Sequence, residues 1–328
     1  MVLPKVFVVA ALAASMCVGV ISHPHHHNHL SPEYDPLFDE ASIIDIPVSR
    51  LTTDEHHHYE RRAFPLSVPP HVQQAEEDDF EASNIEDSVV MLVNHKTTQY
   101  VAPFYIGTPP EKFTLILDTG SSNMWVYGSA CHTDVCMAHK RFDHRHSSTW
   151  SKNGTGIMIR YGSGKIEGIL SSDTVYFEDC GSKGEKDCHL IKKQQFGEVE
   201  YTEGKAFQWG RYDGIVGLAF PKLAIDGTVP PFDNLFYQNK LRNPVFSFFM
   251  TPKAGQEGSI FSVGGIRKNL YTGDLRWHSL FVTDKTPEYW TIKLTDVLVD
   301  GKPLGVCKPY GCPFAVDTGT SLITGPLH

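Results

Sequence analysis

Leu115-Ile116-Leu117-Asp118-Thr119-Gly120-Ser121-Ser122 is nearly repeated as Phe314-Ala315-Val316-Asp317-Thr318-Gly319-Thr320-Ser321, 199 residues further along the chain. In each copy an apolar run leads into an aspartate and then into a glycine turn, which is typical of a buried strand that ends in a tight turn. A single Asp-Thr-Gly is common in loops. The repetition therefore predicts two related lobes, each contributing one carboxylate to a shared site.

The N-terminus has the features of an export signal. Lys5 precedes an apolar stretch at residues 6–21, which is rich in Val and Ala and is followed by Ser22. This stretch is short for a membrane span, and a small residue at position 22 suits a signal peptidase. We therefore expect a signal peptide over residues 1–22, with an uncleaved membrane anchor as the alternative.

Six cysteines outside that signal fall into three closely spaced pairs. The pairs are Cys131 with Cys136, Cys180 with Cys188, and Cys307 with Cys312. Short disulfide loops are expected in an exported protein. Zinc binding is the competing interpretation, but the gaps are longer than two residues and the pairs lie far apart in the sequence. The sequon at Asn153 predicts an exposed glycosylation site.

Charge divides the rest of the chain. Residues 23–88 hold fifteen acidic side chains, three arginines and nine histidines, for a net charge of −12, whereas the part from residue 89 onward carries +2. Such an acidic, aperiodic segment predicts an extended propeptide. Its clusters His25-His26-His27 and His56-His57-His58 suggest release in acid, where histidines become charged. A solvated spacer or a loose metal-binding tract is the alternative.

After about residue 89 the sequence has the pattern of strands and turns. Short runs of β-branched and aromatic residues predict strands at 100–106, 113–117, 157–161, 166–170 and 245–250. Glycine and proline clusters separate them. The best helix candidate is 232–239. These features predict a mostly β protein with mainly antiparallel sheets, large enough for more than one core.

Several stretches, together with the two Asp turns, resemble the pepsin-like aspartic proteases, the group that contains pepsin and cathepsin D. The resemblance covers about residues 99–326 and includes Ile106-Gly107-Thr108-Pro109-Pro110-Glu111-Lys112-Phe113, Tyr161-Gly162-Ser163-Gly164, Tyr212-Asp213-Gly214-Ile215-Val216-Gly217-Leu218, Tyr271-Thr272-Gly273-Asp274-Leu275 and Tyr289-Trp290. It implies a bilobal fold, with an N-terminal catalytic lobe over residues 89–275 and a partial C-terminal lobe over residues 276–328.

The resemblance also implies an aspartic endopeptidase that needs no metal and no cofactor. Peptide hydrolysis then requires a base to activate water and an acid to protonate the carbonyl oxygen, and two carboxylates that share one proton supply both, as is established for this enzyme class. Asp118 and Asp317 would form this pair. The expected supporting residues are Thr119 and Thr318, which would cross-link the turns, Ser121 and Thr320, which would bond the carboxylates, and Gly120 and Gly319.

The same resemblance implies a hairpin flap and substrate pockets. Tyr161, Gly162 and Ser163 would form the flap tip, and the Tyr161 hydroxyl would meet the indole of Trp125. Tyr212 and Ile215 would line one pocket and Tyr289 another, which implies a preference for apolar or aromatic residues at the cleavage site. Each of these aromatic and apolar residues taken alone is equally suited to an ordinary core.

The expected partners are polypeptide substrates and the chain's own propeptide as an intramolecular inhibitor. Nucleic acid is not expected, and a membrane is expected only if the N-terminal segment is uncleaved. We expect a monomer in the secretory pathway, with a lysosome-like acidic compartment, a secretory organelle or the cell exterior as its destination.

Two departures from the family pattern give a second candidate function. The propeptide is acidic rather than basic, with no clear lysine to cap the catalytic pair. The strand Ile215-Val216-Gly217 would support the Asp118 turn, but only eleven residues follow Asp317, so the second lobe is expected to be incomplete. The alternative is a catalytically inactive, truncated peptide-binding protein. Metal binding or adhesion by the His-rich segment is a weaker third candidate.

Overall fold

The computed structural model describes residues 5–12, 15–20, 44–47, 49–51, 99–162, 164–178, 188–204, 207–208, 210–238, 240–241, 244–250, 259–271, 275–282, 286–299, 301–320 and 323–325. Both histidine clusters of the predicted propeptide lie outside these residues, as do Ser163 of the predicted flap tip and Cys180 of the second cysteine pair. The expectations for residues 1–22 and 23–88 therefore stay predictions.

Strands dominate the described part of the chain. They are β1 (Lys5–Leu12), β2 (Ser15–Val20), β3 (Ile44–Pro47), β4 (Ser49–Leu51), β5 (Gln99–Ile106), β6 (Glu111–Asp118), β7 (Met124–Tyr127), β8 (Ser151–Tyr161), β9 (Gly164–Tyr176), β10 (Leu190–Glu203), β11 (Gly214–Gly217), β12 (Val245–Met250), β13 (Ile260–Val263), β14 (Arg276–Ser279), β15 (Thr291–Leu294), β16 (Leu298–Val299), β17 (Lys302–Pro303) and β18 (Cys312–Ala315). Short α-helices accompany them, among them α1 (Asp134–Met137) and α2 (Pro231–Tyr237).

An eight-stranded sheet carries most of the predicted site. Its strand order is β4-β5-β6-β11-β7-β10-β9-β8, and β5 pairs with β9 as well, so the sheet curls back on itself. Most neighbours are antiparallel, while β11 runs parallel to β6 and β10 runs parallel to β7. The long hairpin β8–β9 turns between Tyr161 and Gly164.

A second sheet has six strands in the order β14-β2-β1-β12-β13-β3. The two strands of the predicted signal segment lie in its middle, with β1 antiparallel to β12 and β2 antiparallel to β14. The described residues also form two small sheets, β15 with β18 and β16 with β17.

Two buried clusters hold the main sheet together. The larger one combines alternate residues of β5, β6, β7 and β11 with aromatic side chains of β12 and β13. The smaller one, which we call the flap-side cluster, lies on the opposite face of β7 and contains Val101, Ile116, Trp125, Tyr127, Cys131, Cys136, Ile157, Ile166, Leu170, Val199, Phe207, Tyr212 and Ile215. Side chains alternate between the two faces of a strand, so β7 contributes to both clusters.

The mostly β prediction is confirmed, and each of the five predicted strands lies within an observed one. Helix α2 begins at Pro231, one residue before the predicted start. Proline suits the first turn of a helix because the missing N–H would have no partner there. Among the described residues, no helix is both long and apolar enough to cross a membrane.

Gly217 offers a test of how tightly β11 packs behind the Asp118 turn. A methyl group at this position would lie 2.5 Å from Ser122 C, 2.6 Å from Asn123 N and 2.7 Å from Ser121 O, all main-chain atoms that cannot rotate away. We expect Gly217→Ala to lower the free energy of unfolding by about 1–3 kcal/mol, measured by denaturant titration.

Gly156→Ala is the matched control, because Gly156 also lies in a strand but has no atom within 4 Å of the added methyl. Its effect should stay within about 0.5 kcal/mol. Equal stability of the two variants would contradict the close packing of β11 on the turn.

Candidate functional site

The two Asp-Thr-Gly turns lie directly against each other. Asp118 ends β6, and Asp317 lies two residues beyond the end of β18. A methyl group added at Gly120 would lie 2.6 Å from Asp317 Cγ, and one added at Gly319 would meet Asp118 Oδ1. Each carboxylate therefore occupies the space that the glycine of the opposite turn leaves open, and any larger residue there would push the pair apart.

Two threonines cross-link the turns below the carboxylates. The Thr119 hydroxyl donates to Val316 O at 2.8 Å and accepts from Thr318 N at 2.9 Å. The Thr318 hydroxyl likewise donates to Leu117 O at 2.6 Å and accepts from Thr119 N at 3.0 Å. Each side chain thus bonds the main chain of the other turn, and the four hydrogen bonds are related by approximate two-fold symmetry.

The carboxylates are held by matching hydrogen bonds. Asp118 accepts from Gly120 N at 2.8 Å and from the Ser121 hydroxyl at 2.5 Å. Asp317 accepts from Gly319 N at 2.9 Å and from the Thr320 hydroxyl at 2.6 Å. Both side chains are therefore fixed in orientation by their own turns.

The electrostatic balance at Asp118 favours the protonated form. Burial of the carboxyl and, second, the charge of Asp317 raise its pKa to about 7, against the opposing effect of the hydrogen bonds from Ser121 and Gly120. Those hydrogen bonds favour the ionised form. Burial and the neighbouring charge outweigh them, because desolvation penalises the charged state of a carboxyl.

β11 supports the Asp118 turn from behind. Leu218 N donates to Asp118 O at 2.8 Å, and Ala219 N donates to Ser121 O at 2.8 Å. The main chain of Gly217 also bonds the turn, through its N–H to Asn123 O at 3.1 Å. The predicted supporting strand thus lies against the first Asp turn.

The hairpin β8–β9 reaches over this site. Trp125 Nε1 donates to the Tyr161 hydroxyl at 2.8 Å. Burial and, among the charged groups, Asp118 raise the pKa of the Tyr161 phenol above its ordinary value, so the hydroxyl stays protonated. Trp125 therefore holds the Tyr161 hydroxyl in the neighbourhood of Asp118.

The predicted pocket residues separate into two groups. Tyr212 and Ile215 are buried in the flap-side cluster with Trp125, and Tyr161 packs against that cluster. Tyr289 is not a member of it and keeps 38% of its surface exposed. Its neighbour Trp290 packs on Phe220 at a ring distance of 4.3 Å and donates to Leu218 O at 2.8 Å.

Phe207 is a site residue that the sequence reasoning missed. Its ring lies edge-on to Trp125 at 6.0 Å and to Tyr161 at 5.9 Å. The only signal in the sequence is an aromatic residue within the short segment between β10 and the Tyr212 motif. Such a residue has no periodic neighbours, so its burial depends on contacts that sequence patterns do not display.

Disulfide bonds join Cys131 to Cys136 and Cys307 to Cys312. Cys188 is disulfide-bonded as well, and its predicted partner Cys180 lies outside the described residues. Asn153 is exposed on β8, where its side-chain oxygen accepts from the Thr155 hydroxyl at 2.6 Å. In the part of the chain that the structure describes, no group of three or more His, Cys, Asp or Glu side chains is arranged to hold a metal ion.

Comparison with known proteins matches residues 99–328 to the family described as eukaryotic aspartyl protease. Pregnancy-associated glycoprotein 2 of Sus scrofa is 40% identical over 235 residues, covering 72% of this chain and 52% of the relative. Cathepsin D of Gallus gallus is 40% identical, covering 74% and 58%, and cathepsin D of Bos taurus is 41% identical, covering 73% and 60%. The chain thus spans between half and three fifths of the length of these relatives.

The threonine cross-link makes a stability prediction. Thr119→Val keeps the side-chain shape but leaves Thr318 N–H and Val316 C=O without their partner. Because an unsatisfied buried polar group costs about 1–3 kcal/mol, the free energy of unfolding should fall by about this amount in chemical denaturation.

The control for this substitution is Thr155→Val in unglycosylated protein, because the Thr155 hydroxyl bonds only an exposed side chain. A surface change of this kind is worth about 0.5 kcal/mol or less. If both variants unfold alike, the cross-link does not contribute to the stability of the paired turns.

Proposed function

Because the chain belongs to the eukaryotic aspartyl protease family, we propose that it is an aspartic endopeptidase in which Asp118 and Asp317 act together on a water molecule. The observation that carries the proposal is the mutual approach of the two carboxyl groups, each set in the space beside the glycine of the other turn. Two ionised aspartates repel each other, so holding them this close is energetically unfavourable. Such an arrangement is typical of a catalytic pair.

The proposed reaction uses one ionised and one protonated carboxyl group in the pair. With one proton shared, the ionised carboxylate removes a proton from water as its oxygen bonds to the peptide carbonyl carbon, and the protonated carboxyl donates to the carbonyl oxygen. The tetrahedral intermediate then collapses. Its C–N bond breaks as the leaving nitrogen takes a proton from one carboxyl and one hydroxyl of the intermediate gives its proton to the other carboxylate. The products are a carboxylic acid and an amine, and the pair again holds one proton. Thr119, Gly120, Ser121, Thr318, Gly319 and Thr320 would hold both groups in position through the contacts described above.

The flap is proposed to close over a bound polypeptide. Tyr161, Gly162 and Ser163 would form its tip, and the bond from Trp125 to Tyr161 supports a defined closed position. Tyr212 and Ile215 would receive the side chain before the scissile bond and Tyr289 would contact the other side. Because these surfaces are apolar and aromatic, substrates with apolar or aromatic residues at the cleavage site should fit best.

The acidic segment 23–88 is proposed to be an inhibitory propeptide, so that the chain is made as a zymogen. Its described parts support contact with the enzyme body, since β3 pairs with β13 and β4 pairs with β5 at the edge of the main sheet. Relatives named cathepsin D and vacuolar protease A support the proposal of a lysosome-like or vacuolar compartment or of secretion. We also propose that Asn153 is glycosylated, that the protein is a monomer and that it needs no cofactor.

Loss of either member of the pair should abolish cleavage. We expect Asp118→Asn to lower the rate of hydrolysis of an unfolded protein substrate at acidic pH by about 10²- to 10⁴-fold, because an amide can neither take up nor release the proton. The activity of the unsubstituted chain should also be blocked by an inhibitor that mimics the tetrahedral intermediate.

Asp226→Asn is the matched control. Asp226 is exposed and has a φ of 54°, a left-handed conformation that asparagine adopts readily. This variant should keep full activity. Peptide binding without any turnover in the unsubstituted chain would instead identify an inactive peptide-binding protein.

The pKa of Asp118 sets the upper pH limit of activity. Since its pKa is raised to about 7, the pair keeps its proton below that pH and loses it above, so kcat/KM should fall about tenfold per pH unit on the alkaline side. The Ser121 hydrogen bond lowers this pKa, so Ser121→Ala should move the alkaline limb to higher pH. A limb that moves to lower pH would contradict this assignment.

A further inference from the structure

Five rings form a continuous column beneath the flap, which we call the aromatic column. Its members in order of contact are Tyr161, Trp125, Tyr127, His139 and Tyr212. Three of them, Tyr161, Trp125 and Tyr212, belong to the proposed substrate site. Tyr127 and His139 lie between Trp125 and Tyr212 and have no part in the proposed reaction.

Tyr127 is at the centre of the aromatic column. Alternation along β7 places it on the same face as Trp125, and its ring meets the indole edge-on at 5.3 Å and 75°. It is fully buried, and its hydroxyl oxygen has no hydrogen-bond partner among the described residues. An unpaired buried hydroxyl is unfavourable. Tyr127 therefore contributes through the size and shape of its ring and not through its hydroxyl.

His139 connects the aromatic column to the disulfide loop. Its imidazole stacks on Tyr127 at 4.8 Å and 22°, and it is tilted against Tyr212 at 6.2 Å. Its Nε2 lies 3.0 Å from Phe207 O, and since a carbonyl only accepts, this nitrogen carries the proton. His139 lies three residues after Cys136, and its main-chain N–H donates to Cys136 O at 3.2 Å, so the disulfide loop and Phe207 O both hold the residue.

Phe207 lies beside the aromatic column, next to the flap residue Tyr161. The residue whose carbonyl orients His139 also places its own ring against Trp125 and Tyr161. A displacement of His139 would therefore shift Phe207, and through it the flap residue Tyr161, as well as Tyr212. Closely packed protein interiors have low compressibility, so they transmit such shifts to neighbouring side chains.

We propose that Tyr127 and His139 are positioning residues that set the width of the pocket bounded by Tyr212 and the flap, and so its preference for a large apolar side chain. Tyr127 acts through Trp125, and His139 acts through Tyr212 and Phe207. The inference deepens the proposed endopeptidase function and rests on it. Without the Tyr127 ring, Trp125 and His139 would relax into the vacated space, Tyr212 would lose its support from His139, and the pocket would lose its fit to a large side chain.

The test compares two peptides that differ only in the residue before the scissile bond, Phe in one and Ala in the other. For each enzyme, kcat/KM is measured at acidic pH, and the active concentration is obtained by titration with a tight-binding inhibitor. Tyr127→Leu should lower the Phe-to-Ala ratio of kcat/KM by about tenfold, because only the large side chain depends on the pocket walls. His139→Leu should lower it in the same direction.

Two controls separate positioning from general damage. Tyr127→Phe removes only the hydroxyl, which has no hydrogen-bond partner in the described part of the chain, and should keep the ratio of the unsubstituted enzyme. Tyr176→Leu removes an equally buried tyrosine from β9, in a separate cluster with Tyr105 and Leu190, and should change the ratio less than about twofold. A purely structural role for Tyr127 would lower the active fraction of enzyme without changing the ratio.

An unchanged ratio in both Tyr127→Leu and His139→Leu overturns the proposal, as does an equal change in Tyr176→Leu. If Tyr127→Leu does not fold, His139→Leu decides alone. If the unsubstituted chain cleaves neither peptide, the endopeptidase proposal fails. The ratio of dissociation constants for two non-cleavable peptides, again with Phe or Ala, then tests the pocket independently of turnover.

Discussion

Two carboxyl groups, that of the buried Asp118 and that of the half-buried Asp317, are brought together where the two turns meet. Two unit charges 4 Å apart repel each other by about 4 kcal/mol at an effective dielectric constant of 20, so the pair cannot hold two charges cheaply. The result is visible at Asp118, whose pKa is raised to about 7 by burial and by its partner. The rest of the site is organised to maintain this unfavourable approach.

The forces that oppose the repulsion come from the main chain more than from other charges. Each turn donates one N–H and one hydroxyl to its own carboxylate, and each threonine bonds the main chain of the opposite turn. Glycine is required at two positions because Gly120 and Gly319 each face the opposing carboxylate. Hydrogen bonds to a carboxylate are also stronger than those between neutral groups, which suits them to this role.

Much of this arrangement follows from the sequence. The repeated Asp-Thr-Gly predicts the paired turns, and the runs of β-branched residues predict strands, because both signals are local. Phe207, Tyr127 and His139 were not found in this way. Their roles depend on contacts between β7, the disulfide loop and the segment after β10, and neither spacing nor composition records which aromatic residues meet in space.

The two aspartates depend on different supports. Asp118 extends a strand of the eight-stranded sheet, with β11 behind it, and the same sheet carries the flap and the aromatic column. Asp317 follows β18, which pairs with β15 in a two-stranded sheet. Its position is fixed by the threonine cross-link and by Trp290, which accepts from Val316 N at 2.9 Å and donates to Leu218 O at 2.8 Å. Leu218 directly follows β11, so the strand that supports Asp118 also holds, through one tryptophan, the turn that carries its partner.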